Sequence, residues 1–166
     1  MKLAFIIIDM QNQFREEICG DPNFSNAIEH INYIADLARK HHQQVVIVKD
    51  IEGFKDTDDA RLDFIEEVPV EKDDIIIKKE CSNAFWKTGL EEQLREHNID
   101  CVVVSGFAAE HCVLATYFGA KERGYTTAIL QNGIISTRPD VIDASYRDRE
   151  IVSYSTLDYL FKAISK

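Results

Sequence analysis

Five short apolar runs, none alternating with polar residues, most constrain what this chain can fold into. They are LAFIIIDM (3–10), QVVIVKD (44–50), DIIIKK (74–79), CVVVSGF (101–107) and TTAILQN (126–132). Runs of this length, rich in β-branched residues, read as strands apolar on both faces, which only a sheet covered on both sides can accommodate. A weaker sixth strand is EIVSYS (150–155). Between them lie amphipathic segments: 26–41 has apolar residues at helical spacing, 88–98 opens with a capping box from Thr88 to Glu91, and 111–123 and 156–164 are further helices. Pro139 opens another through PDVIDASYRD. Strands alternating with helices predict a three-layer α/β/α fold with a mostly parallel, doubly wound six-stranded sheet in the order 3-2-1-4-5-6, forming one domain over 1–166. The one long irregular stretch, 51–72, is acidic and reads as a surface excursion.

Composition narrows the function. The 166 residues carry 29 Asp and Glu against 19 Lys and Arg, a formal charge of −10, which repels polyphosphates and argues against nucleic acid. No apolar stretch approaches the length of a membrane span, and the first residues lack a small-residue cleavage site, so a cytoplasmic protein is expected. Cys19, Cys81, Cys101 and Cys112 form no CxxC pair, as free thiols in a reducing compartment would not. Neither GxGxxG nor GxxxxGK[ST] occurs, which leaves no backbone cradle for nucleotide phosphates.

In such a sheet, chemistry gathers at the carboxyl ends of the strands near the switch in strand order. Asp9 ends strand one, Asp50 strand two, Lys78 and Lys79 strand three, and Cys112 follows strand four at a helix start. Each has an ordinary structural reading: a strand-end carboxylate, a solvated lysine, a small core cysteine. Together, an Asp, a Lys and a Cys could supply a base, a cation and a nucleophile, with a helix start favouring the thiolate. A lysine at the end of strand three could cross the two strand spacings to strand one, and Lys78 and Lys79 point to opposite faces, so only one of them could do so. Cys81 is a rival nucleophile, and His111, adjacent to Cys112, points elsewhere and lies at the surface or a pocket rim. Phe14, Phe85, Trp86 and Phe107 lie near strand ends where a substrate pocket would be lined.

Three blocks then resemble a known family. IIIDMQNQF is similar to the opening DxQxxF of isochorismatase-like cysteine hydrolases, which include nicotinamidases. KECSNAFWKTGL resembles their K-x-x-x-S-A-F-x-x-T-x-L segment, and GFAAEHCVLATYFGAKERGY their G-x-x-T-x-x-C-V-x-x-T-x-x-x-A-x-x-x-G-Y segment. The resemblance implies a catalytic group of Asp9, Lys79 and Cys112. It also implies a non-proline cis peptide at Phe107–Ala108 and an oxyanion hole from the backbone of Ala108 and Cys112. Two departures stand out. Ala109 replaces a threonine, and the family's metal pattern DxH appears as Asp50-Ile51-Glu52, with no later histidine partner, so no metal and no cofactor are expected. The implied activity is hydrolysis of a small-molecule amide C–N bond through a thioester. The alternative is a non-catalytic small-ligand or partner-binding protein on the same fold. A vinyl-ether hydrolase conflicts with Cys112, because that branch resembles members with another residue there. The expected partners are a small-molecule substrate and further copies of the chain, as a dimer or tetramer, without nucleic acid or membrane.

Overall fold

The computed structural model describes residues 1–164. Six parallel strands form one sheet in the order β3-β2-β1-β4-β5-β6. They are β1 (Leu3–Ile8), β2 (Gln44–Asp50), β3 (Ile75–Lys79), β4 (Cys101–Phe107), β5 (Thr126–Ile135) and β6 (Ile151–Val152). The helices are α1 (Arg15–Gly20), α2 (Phe24–Lys40), α3 (Leu90–Glu96), α4 (Leu114–Glu122), α5 (Pro139–Asp148) and α6 (Tyr154–Ile164). Strand periodicity divides the apolar runs between two cores. Leu3, Phe5, Ile7, Val45, Ile47 and Val103 face the layer holding α2 and α6. Ala4, Ile6, Ile8, Val46, Val48, Val102 and Val104 face the layer holding α3 and α4. Each fully buried Ile or Val contributes roughly 2 kcal/mol, which is why the central strands carry no polar residue until their carboxyl ends.

Where the chain departs from the sequence reading, the cause is local. β3 is not buried on both faces: Ile76 and Lys78 are exposed while Ile77 and Lys79 are buried, because β3 is the sheet edge. The expected strand 150–155 shrinks to two residues, since α6 already starts at Tyr154. The Thr88–Glu91 capping box does not form. Gly89 is the N-cap, the Thr88 hydroxyl donates to the Ala84 carbonyl, and Glu91 pairs with Arg95 and Arg123 instead. The stretch 51–72 is more than a surface excursion. Ile65 and Val68 sit in the core, Leu62 is fully buried, and Ile65 N–H donates to the Met10 carbonyl. Those three residues are spaced by three, an apolar signal hidden among the acidic side chains.

Gly106 permits the closest approach in the sheet. It pairs with Ile8 at φ 104°, and a Cβ there would lie 2.2 Å from the Ile8 carbonyl oxygen. Backbone cannot yield as a side chain can. Gly106→Ala is therefore expected to cost roughly 3 kcal/mol, read as a lowered urea midpoint at unchanged slope. A midpoint equal to wild type would show that β1 and β4 can separate at this point.

Candidate active site

Asp9 is the first residue past β1, in the left-handed region at φ 53°, and is 1% exposed. Gln11 holds the surrounding turn. Its amide donates to the carbonyls of Asp50 and Leu62 and accepts from Asp50 N–H, all within 3.0 Å, which stitches the ends of β1 and β2 to the 51–72 segment. Gln13 adds a second donor to the Asp50 carbonyl.

Lys79 ends β3 and is 1% exposed. Its ammonium lies 2.8 Å from Asp9 Oδ2, 2.6 Å from Asp50 Oδ2 and 3.4 Å from Cys112 Sγ. The lysine stem thus spans the two strand spacings from β3 to β1, as its length predicts, and reaches β4's successor as well. Lys78, one residue earlier, is exposed. Cys112 sits in a π-helical turn, Ala109–Val113, that leads into α4. Single π turns of this kind recur at functional sites because they re-aim a side chain. The Phe107–Ala108 peptide before it is cis.

The loop that follows Lys79 is tied to α4. Ala84 N–H donates to the Thr116 hydroxyl, and Gly119 leaves room for the Asn83 side chain, which a Cβ would meet at 2.5 Å. The nucleophile candidate in the π turn and the loop anchor on α4 therefore lie on one continuous helical run.

Burial governs the electrostatics. It raises the Asp9 carboxyl to about 6 despite the neighbouring Lys79. The Cys112 thiol rises to about 12 through burial and the adjacent Asp9 charge, only partly offset by Lys79. The lowered thiol value expected from the helix start is thus opposed, first by burial of the sulfur and then by the carboxylate beside it. Burial alone would depress the Lys79 ammonium, but the charges of Asp9 and Cys112 and the hydrogen bonds to Asp50 and Asp9 hold it above its ordinary value. Asp9 and Cys112 repel a second negative charge, so one proton is shared between them beside a permanent cation.

The Asp9 shift has a consequence for stability. Its folded value lies above the unfolded one, so the folded chain binds more protons between about pH 4 and pH 6, and stability falls as the pH rises through that window. Measured against Asp9→Asn, wild type is expected to lose roughly 2 kcal/mol between about pH 4 and pH 6.5. Denaturation curves whose difference stays constant across that range would refute the shift.

Metal does not fit this donor set. Asp9, Asp50 and Cys112 place one ligand atom each within 4.8 Å of one another, but the Lys79 ammonium already holds the position of a cation among them. Asp50 spends its other oxygen on Glu52 N–H, and Glu52 itself is exposed.

The remaining expected residues separate. Phe14 and Phe107 pack together, ring centroids 5.6 Å apart. Phe85 is a core residue, 4% exposed, stacked on Tyr125 beneath the Arg123 guanidinium. Trp86 is 55% exposed and lines a cleft of ≈ 300 Å³ with Ile51, Lys79 and their neighbours. Cys81 is exposed, Cys112 half-buried, and all four cysteines are free. His111 is exposed. Among the described residues no helix is long and apolar enough to cross a membrane. Asp50 as a second partner of Lys79 was not anticipated, although its place at a strand end was the signal.

Comparison with known proteins identifies the family and the fold. The family model described as Isochorismatase domain matches residues 3–153. The uncharacterized isochorismatase family protein YrdC of Bacillus subtilis is 28% identical over 144 residues, covering 79% of this chain and 72% of the relative. The crystal structure of an isochorismatase-like hydrolase from Alkaliphilus metalliredigens matches with a TM-score of 0.84 at 23% identity, over 99% of both chains. N-carbamoylsarcosine amidase from Thermoplasma acidophilum gives 0.79 at 24% identity, over 92% of this chain and 95% of the amidase.

Proposed function

The chain belongs to the isochorismatase family of hydrolases, and on that premise we propose that it cleaves a small-molecule amide C–N bond through a thioester on Cys112. The observation that carries this reading is the buried Lys79 ammonium in simultaneous contact with Asp9, Asp50 and the Cys112 sulfur. The likeness to an amidase supports the choice of an amide.

Asp9 is the general base. Its carboxylate is held by the Lys79 ammonium at 2.8 Å and lies against the Cys112 thiol, so it is placed to take the thiol proton as the sulfur attacks the carbonyl carbon. The developing oxyanion is held by backbone N–H groups of Ala108 and Cys112. Asp9 returns the proton to the leaving nitrogen as the C–N bond breaks, giving ammonia or an amine and the thioester. Water then adds to the thioester carbon, Asp9 accepts its proton, and the carboxylic acid leaves as that proton returns to sulfur. Lys79 stays charged throughout and compensates whichever of its neighbours is anionic. Because the resting thiol is neutral, its proton is lost only as the carbonyl arrives, which limits side reactions with solvent oxidants. Phe14, Phe107 and Trp86 are the pocket walls in this reading, and Phe85 supports the loop behind them.

The test is ammonia release from a panel of small amides, with hydroxylamine added as a competing nucleophile. Formation of the hydroxamate in place of part of the acid is the expected sign of a thioester. With Asp9 as base, kcat/KM is expected to rise through an apparent pKa of about 6. A profile that is flat from about pH 5 to pH 8 would remove Asp9 from that role.

A further inference from the structure

Amide cleavage draws on Asp9, Lys79 and Cys112, yet the Lys79 ammonium lies closer to a group that takes no part in it: 2.6 Å from Asp50 Oδ2 against 2.8 Å from Asp9 Oδ2. An ion pair with Asp9 alone would already satisfy a buried lysine. A second buried carboxylate beside the first is unfavourable by itself, because each disfavours the ionised form of the other.

Asp50 is nevertheless held at each of its polar atoms. It ends β2 and pairs in register with Lys79, so it stands between the strand that carries the lysine and the strand that leads to Asp9. Its N–H donates to the Gln11 side chain at 2.7 Å, and its carbonyl accepts from Gln11 and Gln13 at 3.0 and 2.9 Å. Its Oδ1 accepts from Glu52 N–H at 2.8 Å, and the N–H of the next residue, Ile51, donates to the Lys79 carbonyl. Oδ2 remains for the ammonium, at a fixed point. A flexible lysine stem with one partner can follow that partner, whereas two partners on different strands hold the ammonium in place, here 3.4 Å from Cys112 Sγ.

Charge is shared along with position. An ammonium divided between two carboxylates neutralises each only in part. The titratable groups facing Asp9 are Lys79 from the end of β3, Asp50 from the end of β2 and Cys112 from the π turn. Burial is the main reason the Asp9 carboxyl rises to about 6; Lys79 and Cys112 draw it down, and the charge of Asp50 adds to the rise. Without Asp50 the whole ammonium would serve Asp9, which would then be a weaker base towards the thiol.

We propose that Asp50 is a positioning residue that fixes the Lys79 ammonium between Asp9 and the Cys112 sulfur and takes part of its charge, so that Asp9 keeps the basicity needed to accept the thiol proton. It acts through Lys79 and not on the substrate. The catalytic consequence rests on the amide-hydrolase reading, whereas the hold on Asp9 belongs to the resting protein. A purely structural ion pair is the competing account, and the two differ in the titration of Asp9.

The experiment follows ammonia release against pH for wild type, Asp50→Asn and Asp50→Ser, and measures the denaturation free energy of each against its own Asp9→Asn counterpart. Both substitutions remove the charge, at equal and at smaller side-chain size, so the comparison does not hang on the folding of one variant. In both, kcat is expected to fall about tenfold with KM changed less than about twofold, and the acid limb of kcat/KM to move down by about one pH unit. With no substrate present, the stability that wild type loses as the pH rises towards about 6 is expected to be lost about one unit lower, because the folded Asp9 carboxyl gives up its proton earlier. Asp50→Glu keeps the charge and is expected to keep the wild-type acid limb. A stability window that stays in place overturns the proposal, as does an acid limb that stays in place while turnover falls. Wild-type turnover in Asp50→Asn overturns it as well. A window that moves in a protein releasing no ammonia from any amide upholds the hold on Asp9 and sinks the amide-hydrolase reading.

Discussion

Lys79→Ala is expected to abolish amide turnover, by about 10³-fold or more, and to lower stability by roughly 3–5 kcal/mol at neutral pH. The two losses share one cause. Removing the ammonium leaves the carboxylates of Asp9 and Asp50, both within 2.8 Å of its present position, buried without a counter-ion. The cheapest response is for Asp9 to take up a proton, which removes the base from the mechanism. The stability loss is therefore expected to shrink as the pH falls below about 6, where Asp9 is already protonated in wild type. Chemical denaturation at pH 5 and pH 7.5 separates this account from a simple packing defect, which would cost the same at both values. A Lys79→Ala variant with more than a tenth of wild-type activity would exclude the ammonium from the chemistry.

Cys112→Ser is expected to reduce turnover by about 10⁴-fold or more while changing stability by less than about 1 kcal/mol. The substitution is nearly isosteric at a half-buried side chain packed against the core on the α3–α4 side. It replaces a polarisable sulfur by a hydroxyl that the Asp9 carboxylate cannot deprotonate appreciably, so the nucleophile is lost and the fold is not. Hydroxamate formation in the presence of hydroxylamine is expected to vanish with it. If Cys81→Ser produced the same loss and Cys112→Ser did not, the nucleophile would lie on the loop after β3 instead, with its exposed thiol.

These two residues also show what a one-dimensional reading can supply. Alternation along a strand sets Lys78 and Lys79 on opposite faces and the resemblance favoured Lys79, which the structure buries while it exposes Lys78. The covered parallel sheet followed from uninterrupted apolar runs alternating with helices, since such runs are stable only when covered on both faces, and its strand order is the usual one of doubly wound sheets. Period and apolar character are properties of neighbours along the chain, so they survive in the sequence. Gly106 was marked by the resemblance, but its reason, the approach of β1 to β4, is a long-range one.

Other features depended on contacts between distant segments. Nothing near Asp50 announces that Lys79, 29 residues away, will be its partner; the register of β2 against β3, pairing Asp50 with Lys79, decides that. The thiol of Cys112 was expected to be acidified by a helix start, a local effect. The fold buries the sulfur and sets the Asp9 carboxylate against it, and both raise the thiol instead. Phe85 and Trp86 are adjacent aromatics with nothing in their order to tell them apart, yet one is buried against Tyr125 and the other stands in the cleft. The sequence by itself determined the layers, the strand order and which side chains reach the carboxyl edge of the sheet, because periodic burial is written into nearest neighbours. Only the tertiary structure decided the charge state of that edge and the shape of the cleft beside it, because desolvation and Coulomb forces depend on distances that chain separation does not encode.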